Sequence, residues 1–92
     1  MAQNSRKVFT KQMTGSATFT VTSNEGFQRF SIFNSSSVTG TFVGDGIAGG
    51  EASSAIDVAQ NETAVVDVGN GWVIDYLLVT APASCTLKLM GS

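Results

Sequence analysis

The chain has 92 residues, no histidine, one cysteine and a formal net charge of −2, with 13 % of its residues charged. That length makes one domain. The missing imidazole takes away the usual acid, base and metal ligand of chemistry near neutral pH, and a lone cysteine allows no disulfide within the chain. What the chain has instead is Thr, Val, Ser, Phe and Gly in short alternating runs, the vocabulary of packed β-sheet.

The first 24 residues carry Arg6, Lys7 and Lys11 and no acid, whereas residues 25–92 carry Arg29 and Lys88 against seven acids. A basic arm over residues 1–13 on an acidic body, residues 14–92, is the expected organisation. Such an arm either docks on an acidic surface or is a solvated terminus. Three basic residues make too small a footprint for direct nucleic-acid binding. No apolar run approaches the roughly 18 residues of a membrane helix, and the basic start is followed by no apolar stretch of a secretory signal. The expectation is a protein made in a cytoplasm or packaged from one, with no membrane contact.

A short strand near residues 7–12 is the first candidate element. Residues 16–22 alternate cleanly, with Ala17, Phe19 and Val21 on one face and hydroxyls on the other. Ser23-Asn24-Glu25-Gly26 reads as a turn. Residues 27–34 form an aromatic strand whose Phe27, Phe30 and Phe33 point to both faces, and Ser35-Ser36-Ser37 turns the chain. A strand over 38–43 leads into a glycine-rich loop, residues 44–54. Strands over 55–58 and 63–68 flank a turn at 59–62, and strands over 72–80 and 84–90 complete the chain. Seven or eight short strands at spacings of about 8–12 residues signal an all-β antiparallel sandwich, of jelly-roll or immunoglobulin-like kind.

Register sharpens the last connections. A three-residue loop at Gly69-Asn70-Gly71, with Gly71 left-handed, sets Val68, Val66 and Ala64 opposite Trp72, Ile74 and Tyr76. A turn at Pro82-Ala83 then sets Leu78 opposite Leu87 and Tyr76 opposite Leu89, with Cys85 on the same face. Lys88 falls diagonal to Asp75 on the reverse face. Val73, Leu77 and Val79 also lie on that reverse face, so the strand is apolar on both sides and something must cover it. The cover is the N-terminal arm, a second layer or a neighbouring subunit.

Several motifs have bland readings that outweigh their functional ones. Gly44-Asp45-Gly46-Ile47-Ala48-Gly49 fits the dinucleotide fingerprint, but a β pattern follows it where that site needs a helix. Asp45, Glu51 and Asp57 lack the spacing of a calcium loop. The sequons at Asn34 and Asn61 read as chance matches in surface turns. Cys85 reads as a small buried hydrophobe with no base to activate it. Trp72 and Tyr76 share one face with Val66, Ile74 and Leu78 and so read as core. They become a glycan-binding platform only if one of them is exposed. No catalytic, metal or cofactor set emerges, and the expectation is a protein that is not an enzyme and carries no cofactor.

The second half of the chain has a recognisable texture. The runs IDVAQNETAVV (56–66), GNG (69–71), DYLLVTAPA (75–83) and CTLKLMGS (85–92) resemble the small virion proteins of tailed bacteriophages. These run strand, A-x-x-E-T/S turn, strand, glycine turn, apolar strand, T-A-P-A turn and last strand. The resemblance covers about residues 30–92. It implies a capsid auxiliary or decoration protein: a β-sandwich in repeated copies on a shell, a homo-oligomer or array contacting the major capsid protein or other virion proteins. Such a protein is assembled in the host cytoplasm and resides in the virion. A head-fibre or tail component has the same texture. Arg6, Lys7 and Lys11 are then the expected anchoring contacts, since an extended arm can join a partner's sheet.

Overall fold

A computed structural model describes residues 8–44 and 55–92. Eight strands follow one another: β1 (Phe9–Thr14), β2 (Ala17–Thr22), β3 (Arg29–Asn34), β4 (Gly40–Gly44), β5 (Ile56–Val58), β6 (Thr63–Asp67), β7 (Tyr76–Ala81) and β8 (Thr86–Gly91). They form two four-stranded sheets, ordered β1-β8-β3-β6 and β2-β7-β4-β5. All pairings are antiparallel, and β1 pairs β8, β2 pairs β7, β3 pairs β6, and β4 pairs β5. The chain thus behaves as one long hairpin of four strand pairs, wrapped so that alternate pairs fall in opposite sheets. That is the jelly-roll arrangement, and of the two sandwich kinds expected it is the one realised.

Alternation places the core. Val21 on β2, Phe30 and Ile32 on β3, Leu77, Val79 and Ala81 on β7, and Leu87 and Leu89 on β8 are all buried between the sheets. Cys85, just before β8, is also buried. Two glycines make room for large neighbours. A Cβ on Gly40 would lie 2.9 Å from both terminal carbons of Leu87, and one on Gly91 would lie 2.9 Å from the Phe30 ring and 3.0 Å from Phe27. The space over Gly91 holds an aromatic cluster. Phe9 packs at 5.4 Å from both Phe19 and Phe27, and Phe27 packs at 5.7 Å from Phe30. Rings from both sheets interlock there, each burying a large apolar area.

The two ends of the sandwich are built differently. At one end lie the β1–β2, β3–β4, β5–β6 and β7–β8 connections. Gly15 and Ser16 both adopt left-handed backbone there (φ 44° and 55°), and the Gly15 N–H donates to the Cys85 carbonyl at 2.8 Å. Asn34 is fully buried at this end, and its carboxamide is saturated. Its Nδ2 donates to the carbonyls of Val38 and Val58, each at 2.8 Å. Its Oδ1 accepts from the Ser36 N–H at 2.9 Å and the Ser36 hydroxyl at 2.8 Å. The Thr86 N–H in turn donates to Ser36 Oγ at 3.0 Å. One side chain therefore ties β3, the β3–β4 turn and β5, and through Ser36 it reaches β8. Full satisfaction is what makes a buried amide tolerable. It also corrects the surface-turn reading of the Asn34 sequon: this asparagine is internal.

The β5–β6 turn is capped reciprocally. The Glu62 N–H donates to the Ala59 carbonyl at 3.0 Å, and the Ala59 N–H donates to Glu62 Oε1 at 2.8 Å. At the opposite end, a single 3-10 turn, Ser23–Glu25, links β2 to β3 and closes on left-handed Gly26. The Thr22 hydroxyl donates to Glu25 there at 3.0 Å.

Three sequence expectations are overturned. Strand β1 runs Phe9–Thr14, so residues 9–13 belong to the sandwich rather than to the arm, and Met13 is core. The Gly69–Gly71 and Pro82–Ala83 turns do not make hairpins. Each carries the chain from one sheet to the other, so β6 pairs β3 and not β7, and β8 pairs β1 and β3 and not β7. Lys88 therefore lies across from Gln12 and Phe33 and has no register relation to Asp75. Finally, β7 starts only at Tyr76, so its inward set is Leu77, Val79 and Ala81, while Tyr76 and Leu78 face outward. The glycine-rich fingerprint after Gly44, together with Asp45 and Glu51, lies outside the described residues. Asp57 is exposed on β5.

Candidate binding cleft at the Trp72 end

The eight residues between β6 and β7, 68–75, cross from one sheet to the other and are pinned at three points. The Val68 N–H donates to the Gln28 carbonyl at 3.1 Å, and the Ile74 N–H donates to the Phe27 carbonyl at 2.7 Å. Between them, the Trp72 N–H closes a turn on the Gly69 carbonyl at 3.3 Å, and Asp67 Oδ1 accepts from the Gly69 N–H at 2.9 Å. Gly69 and Gly71 take φ values of 90° and 85°, a region that side-chain-bearing residues avoid. Gly71 was expected to be left-handed and is, but in a crossover rather than a hairpin. The effect of the two glycines is to turn Trp72 away from the core while Ile74 plugs into it.

Trp72 is consequently 72 % exposed and Tyr76 36 % exposed, which overturns their reading as core residues. Both line one cleft of about 370 Å³ at this end of the sandwich. Its floor is apolar, with Phe42, Val66, Ile74 and Leu77, and its lining also includes the exposed Val68, Val73 and Asp75. A cleft of this size falls at the small end of small-molecule sites, which combine apolar walls with a few placed polar groups. Aromatic faces beside a carboxylate suit a ligand with an apolar C–H face and hydroxyl donors at its edge. The same surface suits an apolar side chain of a partner protein.

Arg6 and Lys7, two of the three basic candidates, lie outside the described residues. Lys11 is on β1 at an inward-pointing register position, and its Nζ stands 5.9 Å from the Phe19 ring centroid. It thus occupies the open side of the sandwich between β1 and β2. The sequence reading paired Trp72 with Tyr76 but missed Asp75, Val68 and Val73. The available signal was the pair of glycines flanking Asn70, which interrupts the alternation. The chain matches no protein family, and neither curated proteins nor solved structures yield a match.

Proposed function

We propose that this chain is a non-enzymatic virion structural protein of a tailed bacteriophage, a capsid auxiliary or decoration protein present in repeated copies on the head shell. The observation that carries this reading is the surface. Trp72, Val8, Val73, Val65, Met90 and Ile56 are large apolar side chains held out to solvent on a small rigid frame. Scattered single exposures are ordinary, but a cleft-lining group around Trp72 marks a contact site. The jelly-roll arrangement and the texture of residues 30–92 agree with this reading, because the architecture serves capsid and lectin domains alike.

Quantitative proteomics on gradient-purified particles tests it. Copy number comparable to the major shell protein supports decoration, a few copies per particle moves the chain to a fibre or tail, and absence from particles overturns the virion reading. The anchoring role of Arg6 and Lys7 is tested by deleting residues 1–7, which leaves β1 whole. The deletion should weaken attachment to heads with an unchanged circular dichroism spectrum, and normal attachment refutes the role.

A second reading rests on a specific observation: Trp72 and Tyr76 share one cleft beside Asp75. This is the arrangement of a carbohydrate-binding or host-adhesion module. Titration of Trp72 fluorescence with cell-surface glycans separates the readings. Saturable quenching that disappears in Tyr76→Ala supports sugar binding, whereas a flat response across a glycan panel removes it.

A further inference from the structure

A sheet edge is a row of unpaired backbone donors and acceptors, and proteins blunt such rows when they are not used. Among the described residues this sandwich has four edges: β1, β2, β5 and β6. On the side where β1 and β2 lie, Lys11 points inward and carries its ammonium to the Phe19 ring of β2. An inward-pointing charge on an edge strand discourages pairing, and here it stands at the mouth between both edges. On the other side, β5 is only three residues long and carries Asp57. That leaves β6, Thr63-Ala64-Val65-Val66-Asp67, with no lysine, no proline and strong β-formers at its centre.

The ladder shows which backbone groups of β6 have no partner among the described residues. Arg29 and Ser92 exchange N–H to carbonyl bonds in both directions, at 3.0 and 2.9 Å, so Arg29, Ser31 and Phe33 bond toward β8. The alternate residues of β3 then bond toward β6, in agreement with the Asn34 N–H donating to the Glu62 carbonyl at 3.1 Å. In the observed register these residues face Ala64 and Val66. The N–H and carbonyl groups of Thr63, Val65 and Asp67 therefore point out of the sheet edge.

We propose that β6 pairs with β6 of a second copy of this chain, antiparallel about a two-fold axis through Val65. The sequence is self-complementary in that register and needs no rearrangement. Val65 meets its own copy in a hydrogen-bonded pair, and Thr63 meets Asp67 of the partner on the same face, hydroxyl to carboxylate. On the opposite face Ala64 meets Val66 of the partner, and both are partly buried against the core already. No like charges oppose one another, and Val65, 49 % exposed in the single chain, gains an apolar cross-strand neighbour in its own copy. The product is one continuous eight-stranded sheet made by an isologous contact. This inference does not depend on the virion reading.

Sedimentation equilibrium of the full chain, with two variants, tests it. Wild type should show a concentration-dependent dimer. Val65→Lys alters an outward side chain and leaves the β3 ladder intact, yet it sets two ammonium groups face to face across the axis. It should raise the dimer Kd about tenfold or more. Thr63→Lys places an ammonium opposite Asp67 of the partner and should lower the Kd severalfold, beyond any general effect of one added positive charge, which Met90→Lys measures. Met90→Lys, on the same sheet face but on an inner strand, should leave the Kd unchanged. A wild type that is monomeric at millimolar concentration overturns the proposal. So does a dimer indifferent to Val65→Lys, or one weakened equally by all three substitutions.

Discussion

The two ends of this sandwich handle their polar and apolar groups in opposite ways. At the end built around Asn34, polar groups are turned inward and spent on one another, joining one turn and three strands. At the Trp72 end, backbone hydrogen bonds pin a crossover that plugs Ile74 into the core and projects Val68, Trp72 and Val73 outward. The first arrangement closes an end, and the second presents a surface. With a chain this small the contrast is instructive, because the domain buries only about 60–65 % of its unfolded surface and has little stability in reserve. A buried polar knot at one end lets the other end expose tryptophan without fraying.

Breaking the knot should have the largest effect. Asn34→Ala takes the carboxamide from the buried Val58 carbonyl, the part-buried Val38 carbonyl and the Ser36 N–H, and it should cost about 2–4 kcal/mol, read as a lower urea midpoint by far-ultraviolet circular dichroism. Asn34→Asp sharpens the test. A carboxylate there faces the carbonyls of Val38 and Val58, so the fold favours the protonated acid and raises the folded pKa above the unfolded value. The variant's stability should be greatest below the unfolded pKa and fall as pH rises through the folded one. Wild type should not share that fall. A pH-independent variant would show that the two carbonyls do not depend on the Asn34 amide.

The next effect compares the two glycines that make room, one at each end. Gly91→Ala drives a methyl against the Phe30 and Phe27 rings, both packed on Phe9 and the first also stacked on Phe19, whereas Gly40→Ala meets only the end of the Leu87 side chain. Both overpack the core, at about 1–3 kcal/mol. Gly91→Ala should be the more damaging, because stacked rings have fewer ways to give than a leucine tip. Thermal melts of the two variants rank them, and a milder Gly91→Ala would mean that the aromatic cluster is loosely packed.

The inside and outside of most strands were legible, because alternation is a local property. Ala17, Phe19 and Val21, and likewise Cys85, Leu87 and Leu89, were placed on the faces they occupy. Strand pairing was not legible. In the wrapped hairpin only β4 and β5 are both consecutive and paired, so turn chemistry at Gly69–Gly71 or Pro82–Ala83 carries no information about the partner strand. The face of Tyr76 was lost for a related reason. Ile74 and Leu77 are both buried although three residues apart, so a two-residue period carried from Trp72 through the crossover inverts at Asp75. The cleft was half legible: its two aromatics were paired correctly on the sequence and then assigned to the wrong side of the wall.

The smallest effect on stability belongs to the residue with the largest expected effect on function. Trp72 makes its turn through its backbone N–H, not its ring, so Trp72→Ala should change the unfolding free energy by no more than about 0.5 kcal/mol. The same substitution should abolish whatever contact the cleft makes, with particles or with sugars. Because Trp72 is the only tryptophan, its emission reports on that end alone. In the free protein it should be red-shifted and open to iodide quenching, and it should shift blue and become protected on binding. If Trp72→Ala instead destabilised the fold as much as Asn34→Ala, the exposed ring would be part of the scaffold. The division between a closing end and a presenting end would then fail.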